Sequence, residues 1–213
     1  MSTVYLSTAY LAPVQYYCKL CAFDSVVVEA YENYPKQTYR NRCLIASANG
    51  IQLLSVPVEK PSGKCPTKDI RISEHGHWRH QHWQALVSAY GASPFFEYYR
   101  DDLAPFYRRK YVFLLDFNEA LRETVCALLD IRPAVRHSTH YEASVPHDFR
   151  EIIRPGRPVR DDTFHPCPYH QVFAARHGFL PNMSIVDLLF NMGPEGEGVL
   201  LDSGFKARDS AER

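Results

Sequence analysis

The run Ser25-Val-Val-Val-Glu29 constrains this chain more than any other stretch, because three consecutive β-branched residues leave no polar face to turn toward water. Such a run reads as an interior strand of a parallel sheet, buried on both sides. The residues before it supply the rest of a folding unit. Thr3-Val-Tyr-Leu6 reads as a first strand, and Pro13, pre-set for the opening turn of a helix, precedes Val14, Tyr17, Cys18 and Cys21 at the spacing of one helical face. Residues 3–29 are therefore predicted as a strand-helix-strand unit. Ser7-Thr-Ala-Tyr-Leu-Ala12 then lies at the end where open α/β sheets bind ligands.

The rest of the chain extends this frame. Arg42 to Ala48 and Ile51 to Val58, joined at Asn49-Gly50, are predicted as a hairpin with a type I′ turn. Lys68 to Ser73 alternates like a short strand, and Trp83, Leu86, Val87 and Tyr90 mark the core face of a helix. Ser93, followed by Pro94, is predicted to cap the next helix, and Asp116 or Asn118 the one after, whose Phe117, Leu121, Val125, Leu128 and Leu129 face inward. Pro133 confines Ile131 to Val135 to an edge strand. Residues 136–168 lack periodicity and read as an ordered loop or lid over the site. Tyr169 to Phe173 alternates again, and Asn182 or Ser184 is placed to cap a helix from Ile185 to Phe190. The expected fold class is α/β: an open mixed sheet with an N-terminal strand-helix-strand unit, a β-hairpin and flanking helices. One domain is expected over residues 1–205, with residues 206–213 a frayed tail.

The formal net charge is zero, so basic clusters stand on a neutral background. This argues against nucleic acid as a partner and toward a discrete small anionic or sugar ligand. Fourteen Tyr and twelve Phe supply rings with a polar edge of the kind that line sugar pockets. No run approaches the roughly eighteen apolar residues of a membrane span, and no basic-then-apolar leader opens the chain, so a cytoplasmic protein without membrane insertion is expected. The six Cys are expected as thiols, with Cys18 and Cys21 filling core. His75, His77, His80 and His82 include no pair four residues apart, so no metal site is expected from them, and no motif implies a cofactor.

The candidate site is the stretch from Glu32 to Arg42. Lys36, Arg40 and Arg42 bring together two cations in either simple geometry: Arg40 with Arg42 if the segment is extended, Lys36 with Arg40 if it is helical. With Tyr39 and Asn41 as neutral donors, they suit a phosphate or carboxylate, because the Arg fork matches oxyanions and Lys adds a point charge. A solvated loop entering a strand is the plainer alternative. Lys60, directly after the hairpin, is a further candidate cation. Glu97, Asp101 and Asp102 are candidate acid or base groups or an exposed acidic helix face.

Tyr39-x-Asn41-Arg42, Pro94-x-Phe96-Glu97-x-Tyr99 and Phe179-Leu-Pro-Asn-Met-Ser-Ile-Val-Asp-Leu-Leu-Phe-Asn191 occur in the order that resembles the WbqC-like family, over most of residues 5–194. The resemblance implies a cytoplasmic transferase acting on an activated sugar, nucleotide-linked or phosphorylated, in bacterial surface-polysaccharide assembly. It carries over Tyr10, Lys36, Tyr39, Asn41, Arg42, Asn182 and Asp187, among others. With Arg40, these give a ligand set of Lys36, Tyr39, Arg40, Asn41, Arg42, Tyr10 and Asn182. His82 or Asp187 is the candidate base, and Asp187, if buried, is expected to pair with Arg40 or Arg42. Two departures bear on catalysis: a Gly-rich stretch that longer members carry before the C-terminal block has no counterpart, Pro146–Pro158 standing in a much shorter connection, and the motif after the first strand differs. Leu6-Ser-Thr-Ala9 stands where other members carry His-Gln-Pro-Asn. The alternative is a non-catalytic ligand-binding or regulatory protein of polysaccharide assembly.

Overall fold

A computed structural model describes residues 2–156 and 159–204; the predicted tail, residues 206–213, lies outside the described residues. In chain order the elements are β1 (Thr3–Ser7), α1 (Val14–Ala22), β2 (Ser25–Glu29), β3 (Arg42–Ser47), β4 (Gly50–Ser55), α2 (Trp78–Tyr90), α3 (Phe96–Arg108) and α4 (Leu114–Leu128). They continue with β5 (Val135–His137), α5 (Ala174–His177), α6 (Ile185–Met192) and α7 (Gly196–Ser203). The fold is α/β, and β1-α1-β2 is the predicted strand-helix-strand unit. β1 and β2 pair in parallel from Thr3 with Ser25 to Ser7 with Glu29. β5 adds in parallel on the other side of β2, giving the order β1-β2-β5. The all-apolar strand is thus the interior one, and Val26, Val27 and Val28 are buried. Buried apolar residues from β1 to α7 form one connected core.

Several local expectations change in three dimensions. β3 and β4 form the hairpin, but Ser47 pairs with Gly50, so Ala48 and Asn49 occupy the turn. Neither has positive φ, which excludes type I′; Gly50, at φ 101°, takes the left-handed position after an ordinary turn. Lys68 to Ser73 is not a strand. A 3-10 turn covers Thr67–Asp69, and Arg71 and Ile72 make single bridges to Phe113 and Val58. Tyr169 to Phe173 is not one either, because the Gln171 side chain turns in to bond Leu180 and Asp187. The edge strand lies later than expected, at β5, leaving Pro133 just before it.

The predicted caps are used elsewhere. Ser93 Oγ donates to the Tyr90 carbonyl at 2.6 Å, and Ser184 Oγ to that of Leu11 at 2.7 Å. Asn118 is buried and bonded to Thr8 and Arg40. Asn182 Oδ1 accepts the Gln15 N–H at 2.9 Å, so it caps α1 from 167 residues away rather than its own helix. Its φ of 56° suits Asn better than most residues. α1 needs such support because it is buried almost all round, from Val14 to Leu20, and not along one stripe. Its Lys19 reaches Asp161 at 2.7 Å inside the protein.

After β5, the Ser138 N–H donates to Val28 and its hydroxyl accepts the Ala30 N–H. His147 and Phe149 then pair with Tyr5 on the free edge of β1. The long irregular segment therefore crosses the carboxyl ends of the parallel strands. Asn182→Ala is expected to lower stability by about 1–2 kcal/mol through the lost cap and the strained left-handed backbone. Urea unfolding would show a lower midpoint with an unchanged slope.

Candidate functional site

The cationic stretch divides according to where each side chain can find a partner. Residues 36–41 are irregular and Gln37 has φ 61°, so neither the extended nor the helical arrangement of cations forms. Arg40 turns inward and is 2% exposed. Its Nε and Nη2 donate to the two Glu32 carboxylate oxygens, each at 2.7 Å, and Nη2 reaches the Ser7 hydroxyl at 2.5 Å. This fork-to-fork pair neutralises the cation and commits its Nε and Nη2 donors, which removes Arg40 from the ligand set. Lys36 and Arg42 instead line a cleft of about 500 Å³ with Tyr34, Asn41, Val58 and Lys60. Among the described residues, none of these three cations forms an ion pair, and Glu59, on the same wall, has Arg71 3.9 Å away. The cleft is therefore electropositive.

Of the neutral polar groups in this stretch, Tyr34 faces the cleft, while Asn41 and Tyr39 are committed to the fold. Burial pushes the Tyr34 hydroxyl up to about 12, against the pull of Arg40 and Arg42, so it remains a donor at neutral pH. Asn41 Nδ2 donates to the Val56 carbonyl at 2.8 Å, pinning the hairpin base. Asn41 Oδ1 and Arg42 Nε are sealed without hydrogen bonds among the described residues, a cost of about 1–3 kcal/mol each. Tyr39 is buried behind the cleft, where its carbonyl accepts the Tyr10 N–H, and burial pushes its hydroxyl up to about 12.

The remaining sequence candidates lie inside the protein. Tyr10 is fully buried, its hydroxyl 2.9 Å from both His82 Nδ1 and the Tyr107 hydroxyl. Desolvation lowers His82 to about 4, so it stays neutral and packed at neutral pH. Asp187 does not meet Arg40 or Arg42. Its Oδ2 accepts from Tyr169 and Gln171, both at 2.7 Å, and burial raises its pKa despite those bonds. Asn182 is the α1 cap. Glu97, Asp101 and Asp102 are exposed on α3, with Glu97 bound by Arg100. His75, His77 and His80 are exposed while His82 is buried, and among the described residues no group of three or more His, Cys, Asp or Glu is placed to hold a metal.

A second polar constellation, at the carboxyl ends of the parallel strands, has no sequence signature. Glu29 Oε1 accepts from the Ser138 hydroxyl at 2.7 Å, and Oε2 from Arg150 at 3.1 Å. Arg150 is held further by Asp148 at 2.6 Å, and Asp148 and Glu29 together raise its pKa. Between Ser7, Thr8, Arg40 and Arg150 only about 10 Å³ remains, room for roughly one water. On α4, Glu119 Oε2 accepts from Arg122 at 3.0 Å and lies 3.3 Å from Nε2 of His137, the last residue of β5. The His137 side chain is 48% exposed and the Glu119 side chain 9%. Glu119 raises the His137 pKa against its partial desolvation. The i,i+3 spacing of Glu119 and Arg122 was visible in the sequence. Nothing there joins them to residue 137.

Comparison with known proteins gives a match to the model of the WbqC-like protein family over residues 8–154, more than half of the chain. The chain is also 28% identical over 216 residues to the uncharacterized protein Rv1507c of Mycobacterium tuberculosis strain H37Rv, covering 88% of this chain and 93% of that protein. No solved structure matches.

Removing Arg40 strands a buried carboxylate, so Arg40→Met is expected to cost roughly 3–5 kcal/mol, whereas Arg42→Ala strands no partner, relieves the sealed Nε and should cost no more than about 0.5 kcal/mol. Urea unfolding of the two variants separates the structural cation from the free one. His82 gives a pH signature. Its folded pKa lies below the unfolded value, so its contribution is complete above about pH 6.5 and is lost as the pH falls toward 4. The difference between wild type and His82→Gln in unfolding free energy should change by about 3 kcal/mol across that window.

Proposed function

We propose that this chain, which belongs to the WbqC-like protein family, binds an activated sugar, phosphorylated or nucleotide-linked, in the cleft lined by Tyr34, Lys36, Asn41, Arg42 and Lys60. One observation carries the reading: three cations without ion pairs among the described residues share one concavity of a chain with no net charge. An Arg fork and two Lys point charges suit a phosphate, and a volume near 500 Å³ suits a ligand of nucleotide-sugar class. Tyr34 and Val58 supply a ring and an apolar wall for the sugar. The family resemblance directs the reading to surface-polysaccharide assembly. In a transferase, the same cations would stabilise the phosphate as it departs.

A second reading, a ligand-binding protein of polysaccharide assembly without catalysis, is favoured by the burial of both His82 and Asp187. Both readings require the cleft. Nucleotide sugars, sugar phosphates and free nucleotides should be screened by thermal shift against wild type and a Lys36→Ala/Arg42→Ala/Lys60→Ala variant. A ligand at a hundred times its Kd stabilises by about 2.7 kcal/mol, so the shift should be clear in wild type and absent in the variant. A shift that survives the triple substitution would move the site elsewhere, and no shift with any of these ligands would remove the activated-sugar reading.

A further inference from the structure

Transfer of a sugar to a hydroxyl needs a group to take the hydroxyl proton, and neither His82 nor Asp187 is open to a ligand. We propose that His137, positioned by Glu119, takes that proton; this rests on the activated-sugar reading of the cleft. Three features of the structure lead here. The imidazole stands at the end of β5, at the sheet edge where α/β folds place ligands, and is half exposed. Its Nε2 faces a buried carboxylate that Arg122 and the Thr8 hydroxyl hold in place, at 2.9 Å and 3.5 Å. Its Nδ1 makes no hydrogen bond among the described residues. A base with one nitrogen oriented by a fixed acid and the other open is the arrangement that proton transfer requires. In the other imidazole–carboxylate pair among the described residues, His140 with Glu142, both members stand largely in water and the Nδ1 of His140 is already engaged by the Thr139 hydroxyl at 3.1 Å.

The pair is tied to the cleft through α4. Asn118 Nδ2 donates to the Arg40 carbonyl at 2.8 Å, directly before Asn41 and Arg42, and the next residue, Glu119, meets His137. One turn of helix therefore anchors both the cation-bearing segment and the imidazole. In the neutral form Nε2–H donates to Glu119, leaving the Nδ1 lone pair free. As the acceptor oxygen bonds to the anomeric carbon, its proton passes to Nδ1. The bond from that carbon to the phosphate oxygen breaks, and its electron pair leaves on the phosphate. The charged groups that act on His137 are Glu119, Arg122 and Asp116, all on α4, and Glu119 has the largest effect, upward. Glu29, beside it on β2, is occupied by Ser138 and Arg150.

The test uses the full chain with nucleotide sugars and either water or simple sugars as acceptor, following release of nucleoside diphosphate from pH 5 to 9, with donor binding measured separately by thermal shift. His137→Gln, at a half-exposed position, is expected to bind donor as wild type does and to lose on the order of a hundredfold or more in turnover. Glu119→Gln should shift the acid limb of the rate profile to lower pH, because the imidazole loses the carboxylate that favours its charged form. Undiminished turnover by His137→Gln overturns the proposal, as does donor binding by wild type without release. A wild type that binds no donor would instead bring down the reading of the cleft.

Discussion

The buried pair of Arg40 and Glu32 is the interaction on which the rest of the arrangement depends. It joins Glu32, at the start of the segment after β2, to the residue two places before β3, and through the Ser7 hydroxyl it fixes both to the end of β1. Two charges taken out of water are stable only when their geometry and remaining hydrogen bonds are nearly complete. Here the guanidinium fork meets both carboxylate oxygens, and the Arg40 carbonyl is bound by Asn118. The irregular stretch is thereby held in one conformation. That conformation is what leaves Lys36 and Arg42 facing outward into a cleft.

The carboxyl ends of the parallel strands follow a related logic. In an open α/β sheet this edge is the usual ligand crevice. In this chain the strap after β5 crosses it, and Arg150 from the strap neutralises Glu29 at the end of the interior strand. Glu119 closes the other side with Arg122. The polar edge is thus largely satisfied by the protein itself, and the open volume is displaced to the hairpin base. His137, on this edge, keeps substantial contact with water.

Much of the frame was legible in the sequence because it follows from short-range rules. A β-branched run has to be interior, a proline opens a helix, and the alternation on either side of Asn49-Gly50 makes a hairpin. The turn type was misjudged since Asn-Gly also fits an ordinary turn followed by a left-handed glycine, and only strand register separates the two. The cap assignments failed for a different reason. Ser93, Asn118, Asn182 and Ser184 are polar residues near helix starts, but Ser93 bonds the Tyr90 carbonyl three residues back, and the other three bond a carbonyl or N–H of a distant segment. Asn182 shows this most clearly, completing the first turn of α1 across 167 residues.

The sequence by itself determined the α/β class, the parallel strand-helix-strand unit, the hairpin and the presence of a cation-rich segment beside them. These depend on side-chain shape and periodicity over a few residues. The tertiary structure alone decided which cation is free: Arg40 is spent on Glu32, while Lys60 joins Lys36 and Arg42 from the far side of the hairpin. It also decided that His82 and Asp187 are core residues and that His137 meets Glu119. Pairing of charges is set by distance in space and by the cost of leaving either partner alone in a medium of low polarity, and neither quantity is written in the local order of residues.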